Sequence, residues 1–328
     1  MERSLITGGT GFVGKHLVSY LQSVGSRVAV LSSGEAGEER SEMAFYPADI
    51  RDRDKVRSVI QEFKPDHIYH LAAISAVGDS WQLPRLTYEV NVFGTLNVFE
   101  AAINLPSPPK ILNISTAQVY ARSSAPLSET SSVSPENPYA ASKLMAEFLN
   151  VQCCRHAECG IGIVTARSFN HTGPGQSADF VLSSIAKQFV EMELGQRERK
   201  LSVGNTHVRR DFTDVRDVVA AYVLLMRKGR PSEIYNVCSG RAISIKAVIE
   251  EFECISGIKV EIDTHPGKRR IGDTEEVCGN PAKIQAATGW KPVIPLKTTL
   301  LDLLGYWRLA LHQSSPQKAP SPVLHTTR

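Results

Sequence analysis

The segment Ser4-Leu5-Ile6-Thr7-Gly8-Gly9-Thr10-Gly11-Phe12-Val13-Gly14-Lys15-His16-Leu17 constrains this chain more than any other. A short apolar run ends in Thr7, glycines recur at 8, 11 and 14, and an amphipathic helical pattern follows. Gly8 suits a tight turn, Gly11 lets the backbone approach a pyrophosphate, and Gly14 permits close helix packing. The N-terminus of the following helix adds free N–H groups and the positive end of a dipole, both of which favour phosphate. With a strand before it and a helix after it, such a turn has the context of a dinucleotide site rather than of a plain chain reversal.

The rest of the first half repeats that alternation. Arg27 to Leu31 reads as the second strand, and the runs 67–73, 110–115 and 162–167 read as later, buried ones. Helical patterns fall between them, around 52–63, 89–103 and 138–156. Strands alternating with helices predict an α/β chain with a doubly wound parallel sheet. Ligands of such sheets sit beyond the carboxyl ends of the strands, where Thr7, Ala72, Ser115 and Ser168 fall. After Ser168 the order becomes less regular, and one strand–helix unit at about 211–238 is expected to return to the sheet. The expected division is a dinucleotide-binding Rossmann domain, 1–167 plus about 211–238, and a smaller C-terminal substrate-binding domain, 168–210 plus 239–312. Residues 313–328 are rich in Ser and Pro without apolar periodicity, and read as a disordered tail.

Composition narrows the partners. A net charge of +3 on 328 residues is too small to argue for nucleic acid or an anionic membrane. Hydrophobic residues make up 42% and charged ones 22%, as in ordinary soluble proteins, and no apolar run is long enough to span a bilayer. The first strand begins within a few residues of Met1, so no signal peptide is expected. Of six cysteines, Cys153, Cys154 and Cys159 cluster, but without CxxC spacing or paired histidines. The expectation is therefore no metal site and free thiols in a reducing, cytoplasmic setting.

Tyr139 and Lys143 stand four residues apart in Asn137-Pro138-Tyr139-Ala140-Ala141-Ser142-Lys143, on one face of a helix. A phenol titrates near pH 10 in water. An ammonium one turn away is expected to lower that value by favouring the phenolate. Such a pair suits proton transfer beside a hydride transfer.

Four motifs in order, Thr7 to Gly14, His70-Leu71-Ala72-Ala73, Ser115-Thr116-Ala117-Gln118-Val119-Tyr120, and Tyr139 to Lys143, resemble the extended short-chain dehydrogenase/reductase family. The resemblance runs to about Trp307. It implies a nicotinamide cofactor on Gly8, Thr10, Gly11, Phe12, Val13, Gly14, Ser32, Asp49, Ile50, Leu71, Ala72, Ala73, Tyr139 and Lys143. It also implies catalysis by Thr116, Tyr139 and Lys143, with Tyr139 as general acid and Lys143 on the nicotinamide ribose. Asp49 would accept from adenine, or would instead be the N-cap of helix 52–63. Ser32-Ser33 stand where a carboxylate would bind the ribose 2′-hydroxyl of NAD, which favours NADPH, with NADH possible. Arg40 is the one arginine that could fold back onto a 2′-phosphate.

Gln118 is the informative departure. Nucleotide-sugar 4,6-dehydratases carry glutamate at this point, because elimination needs a group that takes one proton and returns another. An amide cannot cycle in this way, so the chain is read as equipped for hydride transfer without elimination. Later motifs, Asn170 to Gln176, Arg210 to Val218 and Asn236 to Gly240, resemble reductases of a GDP-linked 4-keto-6-deoxyhexose, which yield GDP-D-rhamnose. That resemblance places Ser80, Thr116, Asn170, Lys187, Arg210 and Arg270 on the substrate. Ser80 could equally be an N-cap, Arg210 and Arg270 could pair with Asp211 and Asp273, and Lys187 could be a solvated surface lysine. Three other activities stay open: a nucleotide-sugar 4-epimerase, a GDP-mannose 4,6-dehydratase, and a non-enzymatic nucleotide sensor. The family also implies a homodimer through a four-helix bundle of 89–103 and 138–156, with Phe93, Leu144, Phe148 and Val151 outward.

Overall fold

A computed structural model describes residues 1–34, 43–155, 161–264 and 274–314. Seven strands form one sheet, in the spatial order Ile234–Val237, Gly162–Ser168, Lys110–Thr116, His67–His70, Arg3–Thr7, Arg27–Ser32, Ala44–Pro47. Every pairing is parallel. After the first strand the chain builds outward to one edge, then crosses back to lay His67–His70 on the other side of Arg3–Thr7. The order reverses there, and a crevice opens at the strands' carboxyl ends.

Each face of the sheet buries its own apolar layer, as near-continuous apolar strands demand. On one face Ile6, Val28, Val30 and Leu112 pack with Leu17 and Leu21 of helix Phe12–Ser23 and with Tyr222 and Leu225 of helix Val215–Lys228. On the other, Leu5, Ala29, Ile68 and Ile111 meet Ile60 of helix Arg53–Phe63 and Phe99 of helix Thr95–Ile103. A separate core gathers Phe189, Phe252 and Leu304 from helices Val181–Glu193, Ile245–Ser256 and Leu296–Ser314. No described helix is long and apolar enough to cross a membrane.

Two details differ from the sequence reading, and a third adds to it. Within 211–238, only helix Val215–Lys228 and strand Ile234–Val237 join the large sheet; Arg209–Asp214 lies in a four-stranded sheet with Ala242–Ser244, Glu276–Val277 and Asn170–Thr172. Helix 89–103 opens with a π-helical stretch, Glu89–Gly94, directly after the short helix Pro84–Tyr88. The acidic motif around Asp214 and Asp217 is structural. Asp214 caps helix Val215–Lys228 and accepts from Thr299, while Asp217 accepts from the Val293 and Ile294 N–H groups. Those contacts pin the start of the C-terminal helix. Of the expected tail 313–328, residues 313 and 314 instead end the helix Leu296–Ser314, while 315–328, Arg40 and Arg270 lie outside the described residues.

The glycine turn is as tight as its sequence implies. Gly8 has φ +72°, and a Cβ there would meet the Ala72 nitrogen at 2.8 Å. A Cβ on Gly14 would lie 2.5 Å from the Gly8 carbonyl oxygen. Overpacking of this kind costs about 1–3 kcal/mol. Gly14→Ala is therefore expected to lower the urea midpoint followed by circular dichroism; an unchanged midpoint would show that the turn yields freely.

Candidate active site

The carboxyl edge of the large sheet opens into a cleft of about 1740 Å³. Sequence-predicted residues converge on it from four directions. The turn contributes Gly8, Thr10, Gly11, Phe12, Val13 and Gly14; the next two strand ends contribute Ser32, Asp49 and Ile50. Leu71, Ala72 and Ala73 follow strand His67–His70, while Thr116, Tyr139, Lys143, Asn170 and Arg210 line the remainder.

Two expected substrate residues, Ser80 and Lys187, are not among the cleft's lining. Ser80 is fully buried and donates to the Val77 carbonyl at 2.8 Å, so its hydroxyl is spent on its own helix. Lys187 stands over the Trp307 ring at 5.4 Å and 3.8 Å from Glu191, drawn to the C-terminal helix. Arg270 lies outside the described residues. Arg210 lines the cleft, and one of its guanidinium nitrogens donates to the carbonyls of Arg209 and Thr274. Asp211, which alternates to the other side of the strand, instead accepts N–H bonds from Ser239, Gly240 and Gly279.

A neutral hydrogen-bonded relay holds the floor of the cleft. The Thr95 hydroxyl donates to the Asn91 carbonyl at 2.7 Å, so it must accept from Nε2–H of His70, 2.8 Å away. Nδ1 of His70 is then the acceptor for the Thr7 hydroxyl, and Thr7 in turn accepts from the Ala72 N–H. Burial pushes the imidazole down to about 3, with the Lys143 charge acting in the same direction. Asn91 extends the relay: its amide holds both backbone groups of Ile74 and donates to Ser142, which donates to the Tyr139 carbonyl. The loop after strand His67–His70 and the helix carrying Tyr139 are thus tied by one asparagine.

Helix Pro138–Arg155 begins where Asn137 accepts from the Ala140 N–H at 2.8 Å, an N-cap interaction. The Asn137 amide also donates to the Gln118 side-chain carbonyl at 3.1 Å, which fastens Gln118 to the start of this helix. The Thr116 side chain acts on the Tyr139 phenol in favour of its ionised form. Burial nevertheless pushes the phenol up to about 12, the opposite of the lowering expected from Lys143. The reason is positional: the Lys143 ammonium donates to the Ile114 carbonyl at 2.8 Å, and desolvation outweighs any charge effect on the phenol. Burial pushes Lys143 itself down to about 8, against the pull of Glu147.

The adenine end shows a division of labour between two aspartates. Asp52, not Asp49, caps helix Arg53–Phe63 by accepting from the Lys55 N–H. Asp49 is clasped by Arg51 at 2.7 Å, which holds its carboxyl below the usual carboxylate range. Ser32 pairs with Thr10 at 2.6 Å, and no carboxylate stands at Ser32, Ser33 or Gly34.

Sequence reasoning missed Trp81, Arg122, Glu136, Phe180 and Glu276, all of which line the cleft. Glu136 immediately precedes the Asn-Pro-Tyr motif, a proximity that could have flagged it; the others sit on connections with no local signature. Arg122 binds Glu136 through two hydrogen bonds of 2.8 and 2.9 Å, which keeps that carboxyl ionised. Glu276 is paired with Arg209. The three described carboxylates lining the cleft, Asp49, Glu136 and Glu276, are thus each engaged by an arginine.

The buried His70 should not titrate between pH 5 and 8, as its ring proton shifts in NMR would show. In the unfolded chain it gains a proton near pH 6.5. Its contribution to stability is therefore full above that value and falls below it, and a His70 signal titrating near pH 6.5 in the folded protein would contradict the relay.

Residues 5–303 match the family model described as GDP-mannose 4,6 dehydratase. The chain is 36% identical over 309 residues to GDP-6-deoxy-D-mannose reductase of Pseudomonas aeruginosa, covering 93% of this chain and 97% of that one. The solved structure of RMD from Pseudomonas aeruginosa complexed with NADPH superposes with a TM-score of 0.83 at 35% identity, covering 94% and 100% of the two chains. UDP-glucose 4-epimerase of Thermus thermophilus, solved with NAD, superposes with a TM-score of 0.82 at 29% identity, covering 93% and 99%. The chain therefore belongs to the extended short-chain dehydrogenase/reductase family, in its GDP-mannose dehydratase-like branch of NAD(P)-dependent enzymes acting on nucleotide sugars.

Proposed function

We propose that this chain is an NADPH-dependent reductase of a 4-keto-6-deoxy nucleotide sugar, with GDP-4-keto-6-deoxy-D-mannose as substrate and GDP-D-rhamnose as product. The observation that carries this reading is the absence of a free carboxylate among the described residues of the cleft, together with an amide at Gln118. Elimination needs a carboxyl that takes a proton from carbon and returns it to a leaving hydroxyl. Asp49, Glu136 and Glu276 are held by arginines, and Gln118 is fastened to Asn137. Proton donation to a ketone needs only a protonated phenol, and the raised Tyr139 value keeps one there at neutral pH.

The residues fit a dinucleotide. A cradle closed to any Cβ at Gly8 and Gly14 leads into helix Phe12–Ser23, whose first N–H groups suit a diphosphate. NADPH, when bound there, would supply a hydride for the sugar's C4. Thr116 and Tyr139 hydrogen-bond the carbonyl oxygen, and Tyr139 gives it a proton as the C–H bond forms. Lys143 would hold the nicotinamide ribose, and Asn170 and Arg210, which line the cleft, would take the sugar diphosphate. NADPH is preferred to NADH because Ser32 and Ser33 leave no charge to repel a 2′-phosphate, and the Pseudomonas aeruginosa relative was solved with NADPH. A GDP-linked substrate follows the name of that relative.

A 4-epimerase is the second reading, favoured by the likeness to the Thermus thermophilus enzyme. Cofactor turnover separates the two, since a reductase consumes NADPH stoichiometrically and an epimerase returns its hydride. With GDP-4-keto-6-deoxy-D-mannose, loss of absorbance in the reduced-nicotinamide band with formation of a 4-hydroxy product is expected, with NADPH faster than NADH. An altered sugar without cofactor loss would replace the reductase reading by the epimerase. Tyr139→Phe should lower turnover by about 10²–10⁴-fold and leave NADPH binding nearly intact.

The chain is further read as a homodimer. Phe93 and Phe148 are 59% and 60% exposed, and Met145 projects from the same helix as Phe148. Such side chains on adjoining helices match a self-complementary apolar face. Leu144, expected outward, packs instead toward the cluster of Tyr120 and Phe169, and Val151 is half-buried. Sedimentation at micromolar concentration should show a dimer, and Phe148→Glu should release the monomer; wild-type monomer alone would end this assignment.

A further inference from the structure

One polar side chain of the helix after the glycine turn reaches across to the loop that follows strand Gly162–Ser168. His16, on helix Phe12–Ser23, meets the Pro174 carbonyl with Nε2 at 2.8 Å. A carbonyl only accepts, so Nε2 of His16 carries a proton and donates it. Pro174 lies in loop 170–176, of which Asn170, His171, Gly175 and Gln176 line the cleft. A second contact joins the same two segments. The Phe12 ring stacks on His171, with centroids 6.2 Å apart and planes 9° from parallel, and meets the His16 ring edge-on at 5.6 Å. His171 is fixed in turn by donation from Nδ1–H to the Phe169 carbonyl at 3.0 Å.

The loop is otherwise bonded to itself and to the substrate side. The Thr172 hydroxyl donates to the Gln176 side-chain carbonyl, the Gln176 amide donates to the His171 carbonyl, and the Gln176 N–H donates to that of Gly173. Strand Asn170–Thr172 pairs with Arg209–Asp214, the strand of Arg210, and the Ser183 hydroxyl donates to the Gln176 carbonyl. Among the described residues, the His16–Pro174 bond is thus the hydrogen bond that joins this loop to the cofactor helix. We propose that His16 is a positioning residue for the nucleotide sugar: it fixes loop 170–176, and Asn170 with it, against the turn that would hold the cofactor. This deepens the reductase reading and rests on its placement of Asn170 at the sugar diphosphate. A loop so bonded within itself moves as one body, so releasing its tether displaces every group that it carries. Misplacement of a positioning group by about 1 Å can cost as much as 10²-fold in rate.

The test separates the two ligands by isothermal titration with NADPH, GDP-mannose and UDP-glucose. His16→Leu keeps the bulk of the side chain and removes the donor. It should weaken whichever nucleotide sugar the wild type binds by about tenfold, the worth of one hydrogen bond, and leave NADPH affinity unchanged. A role confined to the cofactor helix predicts the reverse. His16→Gln returns an N–H to the place of Nε2–H and should restore nucleotide-sugar affinity, which a role in packing alone would not do. His16→Asn carries an amide too short to reach Pro174; it should behave as His16→Leu and makes the same test if that variant does not fold. Unchanged nucleotide-sugar affinity in a folded Leu or Asn variant, a parallel loss of NADPH, or no recovery in His16→Gln would each overturn the proposal. Wild-type protein that binds neither nucleotide sugar would overturn it together with the placement of Asn170. Failure of the reductase reading alone would appear separately, as nucleotide sugar bound but NADPH left unconsumed.

Discussion

The approach of the Gly8 backbone to the Ala72 backbone is the contact on which the rest of the site depends. It brings the ends of strands Arg3–Thr7 and His67–His70 together at the place where strand order reverses. No side chain fits between them, and the left-handed Gly8 makes the turn without strain. The contact is locked from below by polar groups rather than apolar ones. Thr7, His70, Thr95 and Asn91 pass hydrogen bonds in one direction, with every donor assigned. A fully satisfied buried relay of this kind specifies one geometry, whereas apolar packing alone would tolerate several.

Burial then sets the chemistry in opposite senses for the two residues of the Tyr-Lys pair. The same low-dielectric surroundings make the Tyr139 phenol harder to ionise and the Lys143 ammonium easier to discharge. For a reductase the first effect is useful, because the donor must be protonated when the ketone oxygen acquires charge. The second is opposed by the charge of Glu147, one helical turn beyond Lys143. The YxxxK spacing is thus half of a longer buried face, with Tyr139, Lys143 and Glu147 at successive turns.

Pairing of the cleft's carboxylates is what the proposed reductase reading rests on. Carboxylates are present at Asp49, Glu136 and Glu276, so composition alone would not exclude acid–base elimination. Each is met by an arginine, and the arginines hold the Asp49 and Glu136 carboxyls below their usual range. The Gln118 amide, drawn to the cap of the Tyr139 helix, leaves the position beside Thr116 without a titrating group.

Short-range patterns carried most of the architecture. Apolar runs of strand length, the glycines at 8, 11 and 14, and the four-residue Tyr–Lys step are local signals, and they sufficed for the parallel sheet, its turn and the ordering of the motifs. Properties that depend on long-range partners were not legible. The sequence placed Asp49 as a possible cap, but Asp52 fills that role once the chain bends. Ser80 and Lys187 looked like ligand groups until burial and Trp307 claimed them. The direction of the Tyr139 shift, the pairing of Arg122 with Glu136, and the bond from Ser115 to Glu147 all join segments 14 to 32 residues apart or depend on exclusion of water. Local sequence determined which residue types reach the carboxyl edge of the sheet; only the tertiary structure decided which of them are desolvated, paired or left able to react, because charge and solvation are set by neighbours in space rather than neighbours in the chain.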